Sequence, residues 1–110
     1  MDDSEFCSHL GVDVTVVEFW ITEGWLRPDT SAGRRDFRQA DTARGRLILD
    51  LVQRMGVNEA GVDIVMDLID QIHGLRDAVA AVKTAIETQD EETRARIIRS
   101  LTQSKQQARA

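Results

Sequence analysis

A long stretch of helical periodicity after residue 58 constrains this chain more than any other feature of its sequence. Apolar side chains recur there at alternating steps of three and four residues, at Val65, Leu68, Ile72, Leu75, Val79, Val82 and Ile86. This spacing corresponds to three heptads and predicts a helix with one apolar side, the apolar seam, that packs against another helix. Asn58 is a suitable cap, and we expect the helix to extend from Glu59 to about Glu87.

The apolar seam has two possible partners. Its first two turns can pack either on the chain's own small core or on a second copy of the chain. Beyond Leu75 the remaining chain is too short to cover the seam, and an exposed apolar stripe of this length is typical of an interaction surface. We therefore expect a homodimer held by the seam from Val65 to Ile86.

The same helix carries an acidic stripe, formed by Glu59, Asp63, Asp67 and Asp70. Steps of four, four and three residues place these carboxylates within about 80° of arc, almost opposite the seam. No basic residue interrupts this face. Such a run is most often a solvated face. The alternative is a docking surface for a basic partner, and the four acids are its candidate residues.

Length and composition narrow the class of protein. The 110 residues, 42% hydrophobic and 30% charged, suit one folded domain with a helical extension. No run approaches the ~18 apolar residues of a membrane-spanning helix, and the acidic start lacks the plan of a secretory signal. With one cysteine and two histidines, an internal disulfide is excluded and a usual zinc site is not expected. We expect a cytoplasmic protein with no metal or other cofactor.

The charge distribution bears on the choice of partner. The net charge is −5, and residues 1–45 hold 9 acids against 5 bases, whereas residues 76–110 hold 5 against 7. Phosphate backbones attract basic faces, so the negative part of the chain is an unfavourable nucleic-acid binder. A basic protein surface is the expected partner, no membrane contact is expected, and nucleic acid is an unlikely ligand.

Two short helices open the chain. Ser4 can cap a helix over residues 5–10 that Gly11 ends, and Asp13 can cap a second helix that ends at Gly24. Two helices joined by a glycine-containing turn form a helix-turn-helix unit.

A small β-ribbon, or wing, follows the two helices. Residues 25–28 are expected to be extended, residues 29–33 to form a turn and residues 34–38 to form a second extended piece. Phe37 is the predicted inward anchor of the wing, and Trp25 should pack beneath the wing against it.

Two further helices complete the prediction. Asp41 or Thr42 should cap a third helix that Gly56 stops, and Thr88 with Glu91 fits a capping box for a short terminal helix. The last seven residues, from position 104, are expected to be frayed.

Catalysis receives little support from the sequence. Cys7 is expected to be a small buried hydrophobe, and His9 lies on a different helical face, where it is poorly placed to activate a thiol. The glycines are scattered singly and form no phosphate-binding loop. We expect a protein that is not an enzyme.

The order of elements from Glu5 to Leu49 resembles a winged helix of the MerR type. A closer resemblance, over residues 4–85, is to the chaperone modulator CbpM family. The residues that carry it are Glu5-Phe6-Cys7, Gly11-Val12, Gly24 with Pro28, Phe37, Asp41, Gly61-Val62, Leu68-Ile69-Asp70-Gln71-Ile72 and Leu75. The tail from residue 88 departs from the family's pattern.

The resemblance implies a mainly α fold, a MerR-like winged helix-turn-helix with a small two-stranded wing and then a long dimerisation helix. The corresponding segments are residues 1–56 for the winged helix, 57–88 for the long helix and 89–110 for a short terminal helix and tail.

The resemblance also implies a function. Members of the CbpM family bind the J-domain of a DnaJ-like co-chaperone, CbpA, and restrain its co-chaperone activity by competing with Hsp70. J-domains present a basic helical surface, to which an acidic stripe gives steering and an apolar anchor gives affinity. Trp20 is the candidate anchor if it is partly exposed; a core role is the alternative.

The second hypothesis is a DNA-binding regulator of the MerR type. In such proteins the second helix enters the major groove, and a basic residue precedes its aromatic residues. Here that basic position is Glu18, before Phe19 and Trp20. The wing keeps three candidates for phosphate contact, Arg34, Arg35 and Arg38. A simpler interpretation of these arginines is a solvated wing that pairs with Asp36 and Asp41.

Overall fold

The structure, a computed structural model, describes residues 1–109. Its elements follow in the order α1 (Asp3–Leu10), α2 (Val14–Thr22), β1 (Asp29–Ser31), β2 (Arg34–Asp36), α3 (Gln39–Leu49), α4 (Glu59–Glu87) and α5 (Glu91–Arg109). A π-helical turn, Asp50–Arg54, continues α3. The chain divides into an N-terminal unit, Met1–Leu68, and a C-terminal unit, Ile69–Ala110. The predicted fold class, a winged helix with a two-stranded wing followed by a long helix, is confirmed.

The first helix begins earlier than the sequence predicted. Asp2 is its cap: one carboxylate oxygen accepts from the Glu5 amide at 2.8 Å, and the Glu5 side chain accepts from the Asp2 amide at 3.5 Å. The prediction of Ser4 as cap is wrong, because Ser4 already lies inside the first turn. Gly11 ends α1 with a φ of 71°, in the left-handed conformation that glycine adopts without strain.

The second helix has the predicted cap. The Asp13 carboxylate accepts from the Thr15 amide at 3.2 Å. Val17 and Trp20 lie three residues apart on the buried side of α2. The segment after α2 is connected to α3, because the Arg44 guanidinium of α3 donates a hydrogen bond to the carbonyl oxygen of Trp25.

The wing is shorter than predicted and begins later. Thr30 pairs with Arg35 in an antiparallel ladder, so the first strand starts after Pro28 and not at residue 25. Ala32 and Gly33 form the turn, with φ values of 52° and 75°. Two consecutive positive φ values match the right-handed twist of a tight hairpin, which is why the turn needs only these two residues.

The third helix also begins before its predicted cap. It starts at Gln39, and Asp41 acts from inside the first turn, where its carboxylate accepts from the Arg38 amide at 2.8 Å. Neither Asp41 nor Thr42 is the cap. Gly56, with a φ of 64°, ends the π-helical turn as predicted.

The helices of the N-terminal unit and the segments that flank the two wing strands contribute to one apolar core. The buried apolar side chains are Phe6, Cys7, Val17, Trp20, Trp25, Leu26, Phe37, Ile48, Leu51, Val62 and Met66. Phe37 is buried as predicted, but it stacks on Phe6, with ring centroids 4.1 Å apart. Val62 and Met66 show that the first turns of α4 complete this core.

The long helix has the predicted limits, and Asn58 accepts from the Gly61 amide at 2.8 Å at its start. The terminal helix differs from prediction. Asp90 is its cap, accepting from the Thr93 amide at 2.7 Å, whereas the Thr88 hydroxyl donates to a carbonyl of α4. Helix α5 continues to Arg109 and is longer than the short helix that we expected; fraying from residue 104 stays a prediction, and position 110 lies outside the described residues.

Candidate functional site

Helix α2 and the wing are joined by a forked ion pair. The two guanidinium nitrogens of Arg35 donate to the two carboxylate oxygens of Glu18, at 2.7 and 3.1 Å, and one of them also lies 3.5 Å from Asp3. The hydrogen bond from Arg35 lowers the pKa of Glu18, and the same contact raises the pKa of Arg35. Planar bidentate pairing of this kind is how arginine also grips a phosphate. Here the Glu18 carboxylate lies where a phosphate would bind to Arg35.

The other wing arginines were also candidates for phosphate contact. Arg38 lies 2.8 Å from the Asp29 carboxylate, and both side chains are exposed. Arg34 is exposed and makes no ion pair among residues 1–109. The predicted pairing of the arginines with Asp36 and Asp41 is wrong in its partners: these carboxylates bind backbone or terminal N–H groups.

Trp20, the candidate anchor for a partner, lies in the core. Its exposed fraction is 4%, so of the two alternatives for this residue the core role is confirmed and the role of exposed anchor is wrong. The indole lies beside Gly45 of α3, where an added Cβ would lie 3.5 Å from the ring, an ordinary van der Waals distance. Val16 and Phe19 are exposed instead, at 37% and 38%.

A second tryptophan links α2 to the acidic stripe. The Trp25 indole nitrogen donates to one Asp63 oxygen at 3.1 Å. The Phe19 ring meets the Trp25 ring edge-on, with centroids 5.5 Å apart and planes at 87°. Trp25 is 2% exposed. Through Trp25, these contacts connect an exposed aromatic of α2 with a carboxylate of α4 within the N-terminal unit.

The acidic stripe is part of the fold and not a row of free carboxylates. In the N-terminal unit Glu59, Asp63 and Asp67 are exposed, and Asp63 holds the indole of Trp25. Asp67 also interacts within the chain, as does Asp70, which is half-buried in the C-terminal unit. The stripe remains a candidate docking surface, since three of its four acids are exposed.

The apolar seam is mostly uncovered. Val65 and Ile86 are half-buried, while the exposed members are Leu68 at 51%, Ile72 at 47%, Leu75 at 67%, Val79 at 68% and Val82 at 57%. The side of α4 that packs on the N-terminal core is instead that of Val62 and Met66. Their spacing of four residues was the sequence signal for this second apolar side.

Within the C-terminal unit the seam lines a shallow groove of about 450 Å³. Its lining residues are Ile72, Leu75, Arg76, Val79, Ala80 and Lys83. The floor is apolar, and the two basic side chains lie along it.

The groups that could carry chemistry are dispersed. Cys7 is buried, and burial, followed by the nearby carboxylates of Asp3, Asp13 and Glu18, raises its pKa. His9 lies 3.1 Å from an Arg46 nitrogen. Residues 1–109 contain no cluster of histidine, cysteine and carboxylate groups suited to a metal ion. Within the same range, every helix is too short or too polar to span a bilayer.

Comparison with known families identifies the class. Residues 2–84 match the model of the family described as MerR HTH family regulatory protein. The match covers about three quarters of the 110 residues, and the chain belongs to this family: it is a MerR-like regulatory protein. No curated protein and no solved structure matches the chain.

Proposed function

We propose that this MerR-like protein regulates by binding another protein and not DNA, as a modulator of a DnaJ-like co-chaperone of the CbpA type. It binds the J-domain and restrains co-chaperone activity by competing with Hsp70. The observation that carries the proposal is the fork between Glu18 and Arg35. It places a carboxylate on the helix that would face DNA and engages a wing arginine that would contact phosphate.

The charge of the N-terminal unit supports the same choice. Residues 1–68 contain 13 acidic and 7 basic residues, a net charge of −6. Helix α2 itself carries no Lys or Arg. Phosphate binding depends on basic side chains that displace counterions, whereas a negative surface attracts a basic protein face and speeds its encounter.

Residual DNA binding remains the second candidate, because one observation favours it. Arg34 and Arg38 lie exposed on the wing, and the family is defined by its helix-turn-helix. Phosphate contacts from a wing position a protein on a duplex without reading sequence. This alternative predicts weak binding that disappears with added salt and shows no preference for one duplex over another.

A Hsp70 ATPase assay tests the main proposal. The protein should reduce the stimulation of Hsp70 by the J-domain, and a double change of Glu59→Lys and Asp67→Lys should weaken J-domain binding by ten- to a hundredfold, about 1.4 to 2.8 kcal/mol. Asp63 is left in place because it holds Trp25, and thermal unfolding verifies that the double variant is folded, because Asp67 also interacts within the chain. The control changes Glu91→Lys and Glu92→Lys, which alter net charge equally in α5. Undiminished ATPase stimulation with excess protein would exclude the proposed function.

A further inference from the structure

Helix α2 presents two exposed apolar side chains on one flank, Val16 and Phe19, where a DNA-binding helix would present basic side chains. They are exposed at 37% and 38%, whereas Val14, exposed at 44%, lies about 140° from Phe19 around the helix. The one charged side chain in Val14–Thr22 is Glu18, and Arg35 neutralises it. Exposed apolar side chains on a helix provide anchors for a protein partner, because they lose water when covered and gain nothing from phosphates.

The Phe19 ring already contacts a packed neighbour in the free protein. It meets the ring of Trp25 edge-on, and Trp25 is fully packed and hydrogen-bonded to Asp63 through its indole nitrogen. A side chain held in place loses little rotational freedom on binding, so more of its buried area appears as affinity. An anchor of this kind needs a complementary partner surface beside it.

The same contacts determine the charge of that partner. Asp63 adjoins the Trp25 ring on which Phe19 rests, and Glu59 and Asp67 lie one turn to either side of it on α4. All three acids are exposed, and the whole N-terminal unit is negative. An acidic row beside an apolar side complements a helix with apolar residues on one side and Lys or Arg along its edge.

We infer that Val16 and Phe19, with the acidic row Glu59, Asp63 and Asp67, form the docking face for a basic amphipathic helix of the partner protein. The inference rests on the proposed protein-binding function and adds its location. Helix α2, the second helix of the helix-turn-helix, contacts DNA in DNA-binding regulators and contacts a partner protein here. Val16 and Phe19 cover the apolar side of the incoming helix, and the acidic row pairs with its basic edge.

The test maps binding of two probes by nuclear magnetic resonance on the full-length, isotope-labelled protein. The first probe is a synthetic basic amphipathic helix of Leu and Lys, and its counterpart replaces Lys with Glu. The second probe is the J-domain of the proposed co-chaperone.

Variant Val16→Arg introduces a charge that repels a basic helix. Variant Val52→Arg is its matched control, a valine exposed at 45% on the π-helical turn. Thermal unfolding of both variants verifies that each is folded.

The Leu/Lys helix should shift amide signals in α2 and in residues 59–67, and Val16→Arg should weaken its binding at least tenfold, while Val52→Arg leaves it unchanged. The Leu/Glu helix should not bind there. Shifts elsewhere, no binding, or equal losses in both variants would overturn the inference.

The J-domain distinguishes the docking face from the proposed function. If the J-domain fails to bind while the Leu/Lys helix binds α2, the proposed co-chaperone is wrong and the docking face stands. If it binds at another surface, the function stands and this face is wrong.

Discussion

Glu18 is the residue that most separates this chain from a DNA reader. It lies on the outer side of α2, and both of its carboxylate oxygens accept from Arg35 of the wing. A lone carboxylate at this position would repel a duplex. Because Glu18 also pairs with Arg35, this wing arginine is engaged by a carboxylate in place of a phosphate. One residue thus changes the binding chemistry of both α2 and the wing.

The fork should show in the pH dependence of stability. Because Arg35 lowers the pKa of Glu18 below its usual value of about 4.3, the pair stabilises the fold above that pH and its contribution is lost as pH falls through the lowered value. Variant Glu18→Gln should therefore melt below wild type from about pH 7 to about pH 5, and the two curves should converge in acid. Glu23→Gln, at an exposed position, is the control. Equal melting temperatures at neutral pH would show that the fork contributes nothing.

Asp63 has a second role, as the acceptor for a buried indole. Removing it in Asp63→Ala leaves the Trp25 N–H unsatisfied in the core, which should cost about 1–3 kcal/mol of unfolding free energy. Asp63→Asn keeps an acceptor oxygen and should lose less. Urea unfolding followed by tryptophan fluorescence measures both, with Glu59→Ala one turn earlier as control. If Asp63→Ala and Glu59→Ala are equally stable, the hydrogen bond between Trp25 and Asp63 contributes nothing to the free energy of unfolding.

At the scale of elements, the packing of α1 and α2 on α3 depends on a glycine. A Cβ at Gly45 would lie 2.6 Å from Leu10 Cδ1 and within 3.5 Å of the rings of Phe6 and Trp20. Leu10, which is half-buried, must therefore move if position 45 gains a side chain.

Two helical glycines provide a matched pair for this idea. At Gly74, on α4, a new Cβ meets nothing within 4 Å, so Gly74→Ala should stabilise the helix by roughly 0.5–1 kcal/mol. Gly45→Ala gains the same helix propensity but displaces Leu10, and should be less stable than Gly74→Ala by about 1 kcal/mol or more. Thermal unfolding compares them directly. Identical gains in the two variants would show that α1 and α3 are loosely packed.

The exposed seam makes a prediction about assembly. Ile72→Asp with Val79→Asp should give a monomer, since each aspartate would lose its water at a contact built from apolar side chains. Ala81→Asp adds charge off the seam and should leave the dimer intact. Light scattering at tens of micromolar measures the mass of each. A monomeric wild type would remove the proposed role of the seam.

The sequence predicted elements better than it predicted their ends. Periodicity located α4 to the residue, because seven apolar positions and one cap agree. Three caps were misplaced by two to four residues: at α1 and α5 a neighbouring Asp accepts the backbone N–H instead, and at α3 the cap is Arg38. Local preference does not choose among neighbouring residues; the packing of the helix start does.

At the scale of the whole molecule, the sequence predicted the distribution of charge but not the contacts between residues that are distant in the chain. The acidic stripe and the missing bases on α2 follow from counting. The fork from Glu18 to Arg35 joins residues 17 positions apart, and the bond from Trp25 to Asp63 joins residues 38 apart. No periodicity reports such pairs, so the anchor was assigned to Trp20 when Phe19 is the exposed aromatic.

The central claim, that this member of a helix-turn-helix family binds protein in place of DNA, can be tested in one titration. Fluorescence anisotropy would follow the protein added to a labelled J-domain of the co-chaperone and, in parallel, to a labelled duplex from its own promoter, both at an ionic strength of about 0.15 M. The account predicts saturable binding to the J-domain and no sequence-selective binding to the duplex. Tight, selective binding to the duplex with no response from the J-domain would contradict it.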